Sequence, residues 1–137
     1  MYRRFNAVSD AYITDRVIDG VRRTRANLGG ASTIDLFKLS GVNKSGSVDL
    51  IELSRGLIKF DLDQLRALTG SKLDISDPSF KCELTLRDVY GGQPTPTAFT
   101  LVVLPVSRSW DEGAGKDVVL YNDIDSANFI TSSYSDG

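Results

Sequence analysis

The 137-residue chain contains no histidine. That removes the commonest general base, the commonest metal ligand and the usual switch near neutral pH. Ser-His-Asp and Cys-His catalysis are excluded within the chain. Cys82 is the single cysteine, so no internal disulfide can form. It lies in an alternating apolar row, which predicts a buried, inert thiol. No apolar run approaches the roughly 18 residues of a membrane span. The opening Met1-Tyr2-Arg3-Arg4-Phe5 lacks the apolar stretch of a secretion signal. We expect no membrane partner, and a chain that stays inside the cell or leaves it by another route, such as within a virus particle.

An excess of one charge is also missing. Sixteen basic and 18 acidic residues leave a formal charge of -2, so no whole-domain field gathers nucleic acid and none is expected as a partner. The basic residues do cluster early, at Arg3, Arg4, Arg16, Arg22, Arg23 and Arg25. A solvated or interface-facing arm explains them, with a phosphate-binding arm as the alternative.

What is present is a globular composition, 41% hydrophobic and 25% charged, of a length suited to one domain over residues 1–137. Apolar alternation dominates it. Phe80, Cys82, Leu84 and Leu86 point one way and Lys81, Glu83, Thr85 and Arg87 the other, which predicts a half-buried strand. Ala98 to Val106 is nearly continuously apolar and predicts a central strand, or one whose outer face meets a partner. We expect Phe80, Cys82, Leu84, Leu86, Phe99, Leu101 and Val103 to share one core. Further strands are predicted at Ala11 to Thr14, Thr33 to Leu39, Leu57 to Leu62 and Asp117 to Tyr121. Ile34, Leu36 and Phe37 are the inward candidates of the second of these. Turn residues separate the runs at Asn27-Leu28-Gly29-Gly30, at 43–47 and at 91–96. Only Leu62 to Leu68 suggests helix, and only a turn or two. The expected class is all-β, an antiparallel jelly-roll β-sandwich with at most one short helix.

Four segments carry a resemblance: Ser9-Asp10-Ala11-Tyr12-Ile13, Ala26-Asn27-Leu28-Gly29-Gly30-Ala31-Ser32, Arg55 to Leu62, and Ser109-Trp110-Asp111-Glu112-Gly113. In this order they resemble the DNRLRE family of jelly-roll modules, related to domains in disaggregatase and to carbohydrate-binding modules of secreted polysaccharide-degrading proteins. The family continues past the tryptophan-glutamate-glycine turn with further strands. The resemblance therefore implies closing strands that are missing from residues 1–137 or supplied by a neighbouring chain. Tyr12 to Ile18, with Asp117-Val118-Val119 and Asp125 to Phe129, also resembles structural proteins of tailed bacteriophages that carry this module.

Candidate site residues follow from chemistry. Arg55 and Asp61 flank an apolar strand, where pairing with opposite charges would fix register; ligand contact is the alternative. Glu112 belongs to the resembling turn and has a structural role there. Trp110 sits in that turn, and either caps the core or offers a flat ring to a pyranose. Tyr90 and Tyr121 are further candidates for sugar stacking. Asp123, Asp125 and Asn128 form an oxygen-rich cluster, either a solvated turn or a fragment of a calcium site. Asp111 and Glu112, as sequence neighbours, diverge too much for a glycosidase pair. The resulting expectation is a non-catalytic virion component of a bacteriophage, located in the head, neck or tail. It needs no cofactor and contacts other virion subunits as a homo- or hetero-oligomer. The alternative is a carbohydrate-binding module that recognises a surface glycan.

Overall fold

Tyr12, Ile13 and Thr14 are aromatic or β-branched residues that favour extended backbone, and they close strand β1 (Ala7–Thr14). In the computed structural model of the protein, residues 2–42, 48–69, 72–89, 98–118 and 126–132 are described. β1 pairs antiparallel with the long strand β5 (Val48–Phe60), whose other half pairs antiparallel with β4 (Lys38–Val42). The sheet order is β1-β5-β4. One irregularity in each ladder, between Ala7 and Ser9 and between Gly41 and Val42, marks a bulge of the kind that bends strands.

A second, two-stranded sheet joins β2 (Val17–Ile18) to β3 (Val21–Arg22). Asp19 and Gly20 form its two-residue loop, both at positive φ, as a type I′ hairpin requires. Asp15 anchors this hairpin to the main sheet. Its carboxylate accepts the Leu53 N–H at 2.6 Å and pairs with the Arg22 guanidinium. The remaining element is the single turn α1 (Asp63–Arg66), inside the stretch where helix is expected. The described protein is thus all-β with one short helix.

The chain divides into two compact units, Met1–Phe60 with Val106–Gly137, and Asp61–Pro105. In the first, Ala11 to Asp15 are buried consecutively, so β1 is covered on both faces. On one face Tyr12 packs with Ala26 and Leu28, flanked by Ala31, Ile34 and Val118. Gly56, opposite Tyr12, makes room for this layer: a Cβ there would meet Ile34 and Leu36 side chains at 3.3 and 3.4 Å.

Several expectations are corrected. β4 begins at Lys38, so Thr33 to Phe37 are not strand; Ile34 and Phe37 are half-buried, but Leu36 is exposed. Asp117 and Val118 are not in a strand either, and Tyr121 lies outside the described residues, as do the turns at 43–47 and 91–96. The largest correction concerns the second unit. Phe80 to Leu86 and Phe99 to Val106 form no strand, and Phe80, Leu84, Leu86, Phe99, Leu101 and Val103 are exposed. Cys82 is exposed as well, not buried. The physical reason is pairing. Period-two apolarity prepares a strand, but a strand exists only when its backbone groups find a ladder. Among the described residues, neither run has one.

Burial has one clear electrostatic consequence. The Tyr12 phenol is pushed up from 10.0 to about 12, mainly by desolvation and further by the negative charge of Asp35. A raised folded-state value means that the native state holds the proton more tightly. Its contribution to stability is complete below the unfolded value near 10 and is lost as pH rises through about 12. We expect the unfolding free energy from urea titrations to fall over that window by on the order of 2 kcal/mol. Tyr12→Phe should flatten that part of the profile, and an unchanged slope in Tyr12→Phe would contradict the assignment.

Candidate functional site

Asn27 is fully buried and bridges to Ile13 on the edge of β1 that faces away from β5. The Leu28 N–H donates to the Tyr12 carbonyl at 3.0 Å, so Asn27 sits on a short extension of the sheet. Its side chain then reaches in the opposite direction. The Nδ2 donates to the Ala127 carbonyl at 2.6 Å and to the Asp111 carbonyl at 3.5 Å. The Oδ1 accepts the N–H groups of Gly29 at 3.0 Å and Gly113 at 2.9 Å. Two donors and two lone pairs are all used, which is the full capacity of a carboxamide.

The turn after Asn27 docks on the turn after Trp110. The Gly30 N–H donates to the Gly115 carbonyl at 3.0 Å. A Cβ on Gly29 would collide with the Gly113 carbonyl oxygen, and one on Gly30 would lie 2.5 Å from the Ala114 carbonyl oxygen. Side chains are excluded because two backbones meet there. Glu112 strengthens the junction by accepting the Asp10 N–H at 3.2 Å.

These contacts hold a recess of about 210 Å³ on the other face of the sheet. Ile13, Arg55 and Leu57 line it from β1 and β5, and Trp110, Ala127 and Phe129 from the docked segments. The first three share a face because Arg55 is the ladder partner of Ile13 and Leu57 lies two residues on. The Arg55 guanidinium carbon stands 4.2 Å from the centroid of the Phe129 ring, a cation–π contact. Trp110 is half-buried and lines the recess. Among the described residues, no carboxylate lines the recess.

Other candidates are placed as follows. Asp61 accepts the Asp63 N–H at 3.0 Å at the start of α1. Asn128 is buried, and its side chain organises its own loop: Oδ1 accepts from Ile130 and Thr131 at 2.9 and 3.0 Å, and Nδ2 donates to Thr131 Oγ1 at 3.0 Å. Tyr90, Tyr121, Asp123 and Asp125 lie outside the described residues. Among the described residues, no group of three or more acidic, histidine or cysteine side chains is placed to hold a metal. No described helix is long and apolar enough to cross a membrane. Of the early arginines, Arg3, Arg4, Arg16 and Arg25 are exposed, whereas Arg22 binds Asp15. Phe129, Ile13 and Asn27 were not apparent as site residues from the sequence. An asparagine before two glycines did mark a tight turn, but only the fold supplies its partners.

Comparison with known proteins found no matching family model, no matching curated protein and no matching solved structure.

Asn27→Ala would leave buried carbonyl and N–H groups unpaired, each costing about 1–3 kcal/mol. We expect a total loss of about 3 kcal/mol or more in urea unfolding. Because Trp110 is the single tryptophan, its emission should also shift to the red as the docked segments loosen. Wild-type stability and emission in Asn27→Ala would contradict the role given to this residue.

Proposed function

We propose that the chain is a non-catalytic structural subunit of a bacteriophage virion, an assembly component of head, neck or tail built on a jelly-roll-type scaffold. The observation that carries this reading is the uncovered apolar run in the second unit. Val102, Val103 and Leu104 are 76%, 73% and 74% exposed, and Phe99 and Leu101 are exposed beside them. Alternate side chains of an extended segment point to opposite sides, so the run presents apolar surface in both directions. Its backbone makes no hydrogen bond to other described residues. A contiguous apolar patch of this kind, with N–H and C=O groups unpaired among the described residues, is what chains cover by assembly or added strands. The phage resemblance, the near-neutral charge and the absence of histidine support the same reading.

A second reading has its own observation. The recess beside Trp110 combines an indole with a guanidinium and the Thr131 and Ser132 side of the loop. That suits a carbohydrate-binding module for a surface glycan, with stacking on the indole and hydrogen bonds at the rim. At about 210 Å³ the recess is smaller than the roughly 300–1,000 Å³ of common ligand pockets. It would hold a single sugar ring, which leaves assembly as the stronger reading.

Sedimentation of the purified chain decides between them. Assembly predicts species heavier than the 15.0 kDa monomer at micromolar concentration, dissociated by Val102→Lys with Leu104→Lys. A stable monomer that binds a glycan array, and stops binding in Trp110→Ala, would overturn the assembly reading.

A further inference from the structure

The second unit carries a second uncovered run with a different pattern of charge. From Asp77 to Val89 every residue is exposed. A turn opens the run: the Phe80 N–H donates to the Asp77 carbonyl at 2.8 Å, and the Asp77 carboxylate accepts the Ser79 N–H at 2.7 Å. Hydrogen bonds from Ser79 hold that carboxyl below its ordinary range, so it stays charged. Beyond the turn, Phe80, Cys82 and Leu84 alternate with Lys81, Glu83 and Thr85, and Arg87 follows. Among the described residues, Lys81, Glu83 and Arg87 have no ion-pair or hydrogen-bond partner.

Resting on the assembly reading, we propose that this run is a self-complementary edge. It pairs antiparallel with the same run of a second copy, about a two-fold axis through Cys82. The order of charges selects this register. It places Lys81 opposite Glu83 of the partner subunit, and, by symmetry, Glu83 opposite Lys81 of the partner subunit. Phe80 falls opposite Leu84 of the partner subunit. Every direct pair between charged residues is then of opposite sign, and the apolar side chains share one face.

Most competing registers fail on the same criterion, and the one centred on Thr85, which pairs Glu83 with Arg87 of the partner subunit, sets Cys82 against Asp88 of the partner subunit and leaves Lys81 without a charged partner. Moving the axis to Glu83 sets two glutamates against each other. Moving it to Leu84 sets Lys81 against Arg87 of the partner subunit. A shift of one residue puts apolar side chains opposite polar ones on each face. Parallel pairing in register stacks like charge on like charge throughout. A two-fold contact of this kind is isologous and closes on itself, so it makes a dimer and not an open fibre. Directly opposed residues of an antiparallel pair have Cα atoms about 4.5–5.5 Å apart, within the span of a disulfide. Cys82 therefore reports the register directly.

The test uses the full chain with Lys81→Glu, Glu83→Lys and the double exchange, each followed by sedimentation equilibrium and by mild oxidation. Wild type should dimerise and oxidise to a Cys82-linked dimer that Cys82→Ser abolishes. Each single reversal creates two like-charge pairs by symmetry and should raise the dimer dissociation constant roughly tenfold. The double exchange restores both opposite-charge pairs and should return the constant to near wild type, an outcome that misfolding cannot mimic. Assembly that persists with neither a Cys82 cross-link nor any response to the single reversals would overturn this edge and leave the assembly reading standing. A monomer at every concentration would overturn both.

Discussion

The Asn27 carboxamide is the constraint on which the first unit depends. A buried amide has two donors and two acceptor lone pairs, and each one left open carries a desolvation cost. Here the four bonds run to Gly29, Asp111, Gly113 and Ala127, three of them more than 80 residues away. One side chain thus ties the edge of β1 to segments from the far end of the sequence. The glycines follow from that choice. Once the Gly29-Gly30 turn lies against the Gly113-Ala114-Gly115 turn, there is no space between them for a Cβ. The recess depends on the same junction, since Ala127 and Phe129 line it only while their segment is held beside Asn27.

Two kinds of surface result. Around Trp110 the polar atoms are mostly committed: Asn128 to its own loop and Glu112 to Asp10. Among the described residues, the recess is lined by an indole, an arginine stacked on a phenylalanine, and no carboxylate. In Asp61–Pro105 the balance is reversed. The turns there satisfy themselves through Asp74 and Asp77, while the apolar side chains beyond them face outward. Burying such side chains is worth roughly 25 cal/mol per Å² of apolar surface. Its exposed apolar side chains are therefore the largest such term that the described part of this unit leaves unused.

Much of the first unit was legible. The apolar and β-branched pattern of Ala11 to Thr14 and of Leu57 to Phe60 marked β1 and the end of β5, and the Leu62 to Leu68 spacing marked the site of α1. The Asp19-Gly20 pair was readable too, because two adjacent residues at positive φ favour Asp-Gly, yet it lies between strands only two residues long and was missed. Arg55 and Asp61 looked alike as charges flanking a strand. Arg55 instead stacks on Phe129, and Asp61 serves the start of α1.

The sequence by itself determined what the chain excludes and which segments are able to extend. The absence of histidine, the single cysteine and the balance of charge are compositional facts that no fold alters. Alternation likewise decides which side chains share a face once a strand exists. It does not decide whether a strand exists, because that requires a second backbone with free N–H and C=O groups at ladder distance. Tertiary structure alone made that decision. It gave β5 a partner for each half and, among the described residues, left Phe80 to Leu86 and Phe99 to Val106, the two strongest alternating and apolar runs, without one. It also chose Asn27 as the junction, because a carboxamide acts at long range only where the chain returns to meet it.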